Sequence, residues 1–188
     1  MFTPQTSPDF QPRPAAPLAP AAPGLVPGRS CETCTVCCKA FAIPEVDKGP
    51  GQWCRHVVQA RGCGIHAERP QTCRLFFCHW MRNGALGPEW RPDRAKFVMY
   101  TEMEGRRLVV APDVGAPGSW RRAPYYAQMK RWAALGAPRN NQLIVFNGDR
   151  ATAVLPDRDH EIGLVNVGDS IVYRVAGSRI EVEHRRRS

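Results

Sequence analysis

All eight cysteines of this chain lie between Cys31 and Cys78, and the long stretch from His79 to Ser188 has none. Sulfurs used as disulfide staples are spread over the fold they hold together. A pile-up in one stretch means that one small region needs many thiols. The N-terminal Met1-Phe2-Thr3-Pro4-Gln5-Thr6 has neither the basic start nor the apolar core of a signal peptide. No run approaches the roughly 18 apolar residues of a membrane span. The expectation is a cytoplasmic protein without a membrane segment, where thiols stay reduced and clustered cysteines are ligands or redox groups. Metal is therefore expected ahead of disulfides.

The densest part is Cys31-Glu32-Thr33-Cys34-Thr35-Val36-Cys37-Cys38. Two residues between cysteines let the chain turn back, so that both thiolates enter one coordination sphere with backbone N–H groups facing sulfur. Adjacent side chains diverge. Cys31, Cys34 and Cys37 are thus expected on one metal or cluster, with Cys38 facing elsewhere. If two ions bind, Cys38 joins the second with a subset of Cys54, Cys63, Cys73 and Cys78. Eight sulfurs suffice for two four-cysteine zinc sites, or for one iron–sulfur cluster with thiols to spare. Zinc is the first choice of metal and iron the alternative. His56 and His66, each within three residues of a cysteine, could replace a sulfur, and His79, next to Cys78, is a ligand or a group behind one. His160 and His184 read as surface residues.

Charge fits metal. Residues 31–78 hold six basic and four acidic side chains, a net +2, which eight thiolates would turn strongly negative. Two divalent ions would offset most of that, and Lys39, Arg55, Arg61, Arg69 and Arg74 are near enough in sequence to offset the rest. Without metal so many thiolates could not stay ionised together.

Around the cluster the texture changes twice. Residues 1–29 hold eight prolines and three charged residues, too little apolar surface to offset the cost of ordering them. They read as a disordered arm. Residues 30–87 form the cysteine module, loop-rich through Pro44, Gly49, Pro50, Gly51, Gly62 and Gly64, with one helix expected from Pro70 to a stop at Asn83-Gly84. On that helix Cys73 and Cys78 would sit about 140° apart. They would then bind different sites, unless the helix ends earlier. Residues 88–184 read as a small antiparallel β-rich unit. Hairpins are expected around Glu104-Gly105, Asn147-Gly148 and Gly177-Ser178, with one or two short helices between Ser119 and Leu135. The fold class expected is α+β, ending in a basic tail at 185–188.

The pattern from Cys31 to Cys78 resembles the YkgJ-like cysteine-cluster proteins, described as zinc- or iron-chelating domains with a CxxCxxCC signature. The later matches are Trp53-Cys54, Gly62-Cys63-Gly64-Ile65-His66, Glu68-Arg69-Pro70, Cys73-Arg74 and Phe77-Cys78. The resemblance implies metal chelation by these cysteines and a role for Cys38. It adds nothing for His66, where the family usually has an aromatic residue.

Function is less constrained. There is no phosphate-cradling glycine loop, HExxH or Ser/His/Asp set, and the carboxylates Glu32, Glu45, Asp47 and Glu68 have no clear catalytic partner. No catalytic residue is assigned, and catalysis stays open. Trp80, Phe76 and Phe77 read as module core instead of a base-stacking platform. The first reading is a structural metal in a binding module. The alternatives are an iron-dependent redox enzyme or electron carrier, and a metal buffer or delivery protein. A net charge of +9 leaves room for a macromolecular partner, nucleic acid included, through the β-rich half or the basic tail.

Overall fold

The computed structural model describes residues 24–31, 33–177 and 179–187. The arm from residue 1 to 23 lies outside the described residues. The cysteine-rich part has little regular structure. It contains helix α1 (Val36–Ala40), a 3-10 turn at Pro44–Val46, and a two-residue ladder of β1 (Val57–Val58) with β2 (Gly62–Cys63). Helices α2 (Gln71–Leu75), α3 (His79–Arg82) and α4 (Pro92–Ala95) follow. Prolines and glycines cut the chain into pieces shorter than the roughly 12 residues at which a helix begins to hold by itself.

The single helix expected from Pro70 to Asn83 is broken in two. Pro70 is the residue before the first helix, and Phe76 and Cys78 are extended, with ψ of 122° and 158°. Tertiary packing overrides the helical pattern here. The Phe76 ring turns edge-on to Phe41 at 4.9 Å and to Tyr100 at 5.9 Å, and Cys78 is buried. Residues 24–29 also depart from expectation, because they are held instead of belonging to a free arm. Val26 N–H donates to Met81 O at 2.8 Å. The Arg29 guanidinium donates to the carbonyls of Trp80, Asn83 and Leu86 and lies 4.5 Å over the Trp80 ring.

The remainder is a five-stranded sheet of β3 (Phe97–Glu102), β4 (Arg107–Pro112), β5 (Gln142–Asn147), β6 (Arg150–Val154) and β7 (Asp159–Leu164), ordered β3-β4-β5-β6-β7. The class is α+β, as the sequence implied. The sheet is mixed: β4 and β5 pair in parallel, because helix α5 (Tyr125–Gly136) lies in the connection between them. A separate hairpin joins β8 (Ser170–Ala176) to β9 (Arg179–Arg185).

Alternation along each strand buries the sheet on both faces. Phe97, Met99, Val110, Leu143, Val145 and Val154 meet Trp90, Trp120, Tyr125 and Met129 on the face that α5 covers. On the other face Ile144, Ala151 and Ala153 meet Ile171, Tyr173 and Ile180 of the hairpin. On β3, Val98 packs instead against Val36, Cys78 and Met81, with Cys31, Cys34 and Cys37 around them. The cysteine module and the hairpin thus share the second face, and the change of texture near Gly87 is not a gap in packing.

Candidate metal centre

Each cysteine is placed by a short backbone device. Cys34 N–H donates to Cys31 O at 2.7 Å, closing the first turn. Helix α1 carries Cys37 and Cys38 in succession. Cys54 N–H donates to Cys38 O at 3.2 Å, which brings the next loop back onto α1. Cys63 stands on β2, opposite Val57. Cys73 is set by Glu45, whose carboxylate accepts from Thr72 N–H at 3.0 Å and from its hydroxyl at 2.7 Å. The break after α2 frees Cys78 to turn inward at the start of α3. The 140° conflict on one helix disappears with the helix.

The sulfurs fall into two neighbourhoods. Cys31, Cys34, Cys37 and Cys78 share the apolar cluster under Val98. Burial pushes the Cys31 thiol up to about 11, with the sulfurs of Cys78 and Cys34 adding to the rise. Burial likewise raises Cys34 and Cys78, although the backbone N–H groups of Met81 and Trp80 partly counter it at Cys78. The second neighbourhood is Cys38, Cys54, Cys63 and Cys73: burial raises the Cys73 thiol, and the other three sulfurs add to it. Cys37 and Cys38 join the two. Cys37 is held well up, first by its hydrogen bond to Cys38 and then by burial, and that same bond draws Cys38 down.

All eight cysteines are free thiols. Among the described residues, no three His, Cys, Asp or Glu side chains converge tightly enough to hold a metal ion. The chemistry of the donor set nevertheless suits zinc or iron: thiols alone, in two sets of four, with burial raising Cys31, Cys34, Cys73 and Cys78. A bound cation would supply the positive charge whose lack keeps those thiols protonated.

The histidines are engaged in other ways. His66 Nδ1 lies 3.2 Å from the Arg69 guanidinium, and burial together with that charge lowers its pKa. Burial lowers His79 as well, and its Nε2 faces Asn83 Nδ2 at 3.2 Å. His56 Nε2 lies 3.4 Å from Arg55 Nε. His184, read from sequence as a surface residue, is largely covered and bonds Asp169 Oδ2 at 2.9 Å. Among the cations named from sequence, Lys39 pairs with Asp113 at 2.6 Å, and Arg74 donates to Arg69 O at 2.7 Å. Sequence reasoning passed over Lys48, which is buried and donates to Lys39 O at 2.9 Å.

Between the module and the hairpin lies a groove of about 810 Å³, lined by Phe41, Pro50, Tyr100, Arg107, Phe146 and Ile171 among others. Its described lining includes no cysteine. Among the described residues no helix is long and apolar enough to cross a membrane. No protein-family model matches the chain, nor does any curated protein or solved structure.

Proposed function

We propose that the chain is a metal-binding protein in which two ions, zinc before iron, organise residues 31–78, and that the metal is structural. One observation carries this reading. From residue 44 to residue 77 the only buried residues are Lys48, Cys54 and Gly62. Ordering a stretch of that length costs tens of kcal/mol at roughly 1–2 kcal/mol per residue. Apolar burial offsets such a cost at about 25 cal/mol per Å², and this stretch offers little of it before the half-buried Phe76 and Phe77 at its end. What it has is Cys54, Cys63 and Cys73, and the charges of Cys38, Cys54 and Cys63 all act on Cys73. Small domains without a core are held by disulfides or metal, and metal-binding free energy then becomes folding free energy. The resemblance to the YkgJ-like proteins points the same way, and a reducing cytoplasmic setting goes with it, since oxidised sulfurs bind no zinc.

Metal content of single Cys→Ser variants tests the proposal. Substituting Cys31, Cys34, Cys37 or Cys78 should cost one ion per chain and leave the other. Substituting Cys38, Cys54, Cys63 or Cys73 should cost the second ion instead. Loss of one common ion from all eight variants would overturn the division. Unchanged metal in every variant would overturn the assignment of the cysteines as ligands.

A further inference from the structure

We infer that the groove between the cysteine module and the β8–β9 hairpin binds a linear organic dication, with an ammonium at each end of an apolar chain. The inference does not depend on the metal proposed for the sulfurs.

The second face of the sheet is covered from two sides and left open between them. The module packs on Val98 of β3, and the hairpin packs on Ile144 of β5. Tyr100, Glu102, Arg107, Ala111 and Phe146 share that face by alternation along their strands, and they form the floor of the groove. Its volume of about 810 Å³ lies in the range of small-molecule sites, which are mostly apolar with a few placed polar groups. On its lining Val114 is 55% exposed and Val167 is 99% exposed, apolar surface that no described residue covers.

The charges favour a cation. Three of the four charged residues on the lining are acidic, Glu102, Asp149 and Asp169, in a chain of net charge +9. Asp169 and Arg107 are already engaged. Asp169 accepts from the N–H groups of Asn166 and Arg187 and bonds His184, each at 2.9 Å. Arg107 donates to Gln142 Oε1 at 2.7 Å and to Ile171 O at 3.3 Å, and reaches one oxygen of Glu102 at 3.4 Å. Burial and the Glu102 carboxylate push the neighbouring Tyr100 hydroxyl up to about 12, so it stays neutral. Even with both neighbours Glu102 keeps acceptor positions open, since a carboxylate has about four. Asp149 forms no ion pair among the described residues.

The spacing of these two carboxylates sets the length of the ligand. Glu102 stands opposite Arg107, which pairs with Gln142, and Asp149 follows the far end of that strand at Asn147. At about 3.3 Å per residue the two stand roughly 15–20 Å apart along the strands. Tyr100, Ala111 and Phe146 lie between them. The floor is a sheet face instead of an edge, so it offers a peptide backbone few partners. A methylene chain needs none.

Calorimetric titration of the full chain with dodecanediamine tests this, with butanediamine and dodecylamine as comparisons. We expect dodecanediamine to bind at least about tenfold more tightly than either, because the short diamine cannot reach both carboxylates and the monoamine has one charge. Glu102→Gln and Asp149→Asn should each weaken it about tenfold, the size of one charge-assisted hydrogen bond. Ala111→Leu, which fills the floor, should abolish binding while the melting temperature stays near that of the unsubstituted chain. Asp149 lies on an exposed turn, so its variant keeps the test valid if either of the others disturbs the fold. No binding, equal affinity for the monoamine, or affinity unchanged by Asp149→Asn would overturn the site. Displacement of the diamine by a lysine-bearing peptide of higher affinity would overturn the choice of a small molecule.

Discussion

Chelating the proposed metal from the intact protein is expected to strip amide-exchange protection from residues 44–77 while the sheet of β3 to β7 stays protected. The two regions draw on different sources of stability. The sheet is closed on both faces by side chains such as Val98, Val109, Val110, Ile144 and Val145, each with essentially no exposed surface. The loop stretch buries a lysine, a cysteine and a glycine. Structural zinc in small modules supplies on the order of 10 kcal/mol, as much as the whole stability of many domains. Its removal should therefore release the loops completely, and Cys54→Ser should approach the same result. Residues next to β3, such as Val36 and Met81, should lose less because Val98 still covers them. Native-like protection across 44–77 after chelation would mean that the loops stand without metal.

Ile144→Ala should show the converse: a large loss of stability with the metal retained. Ile144 has no exposed surface and lies in the cluster that seats the β8–β9 hairpin on the sheet, away from the sulfurs. Deleting three buried carbons at such a site costs about 2–5 kcal/mol. For a chain of this size that lowers the melting temperature by on the order of 10 °C. The two effects are separable by thermal unfolding followed together with metal release. If Ile144→Ala lost its metal at low temperature as readily as a Cys→Ser variant does, the independence of the two parts would fail.

Much of this was legible in sequence where the cause is local. The cysteine spacing announces the turns that carry it, and Asn147-Gly148 and Glu104-Gly105 do sit at hairpin turns, with Gly148 and Gly105 at φ of 64° and 87°. What was not legible depends on distant partners. The break at residues 76–78 follows from Phe76 reaching Phe41 and Tyr100. Strand β7 carries Asp159, His160 and Glu161, so no apolar alternation marks it; pairing with β6, and Asp159 taking Arg121 and Lys130, hold it in place. The parallel pairing of β4 with β5 depends on the whole α5 crossover. Lys48 is one of four cations in the loops from Pro44 to Arg69, and nothing in its neighbours separates it until the turn at Asp47 buries it.

The central claim is that metal takes the place of a core between residues 44 and 77. Elemental analysis of the full chain, purified without air and without added metal, tests it most directly. The account predicts about two ions per chain, colourless if zinc and brown if an iron–sulfur cluster. A chain that is free of metal, keeps eight reactive thiols and still protects the amides of residues 44–77 would contradict it.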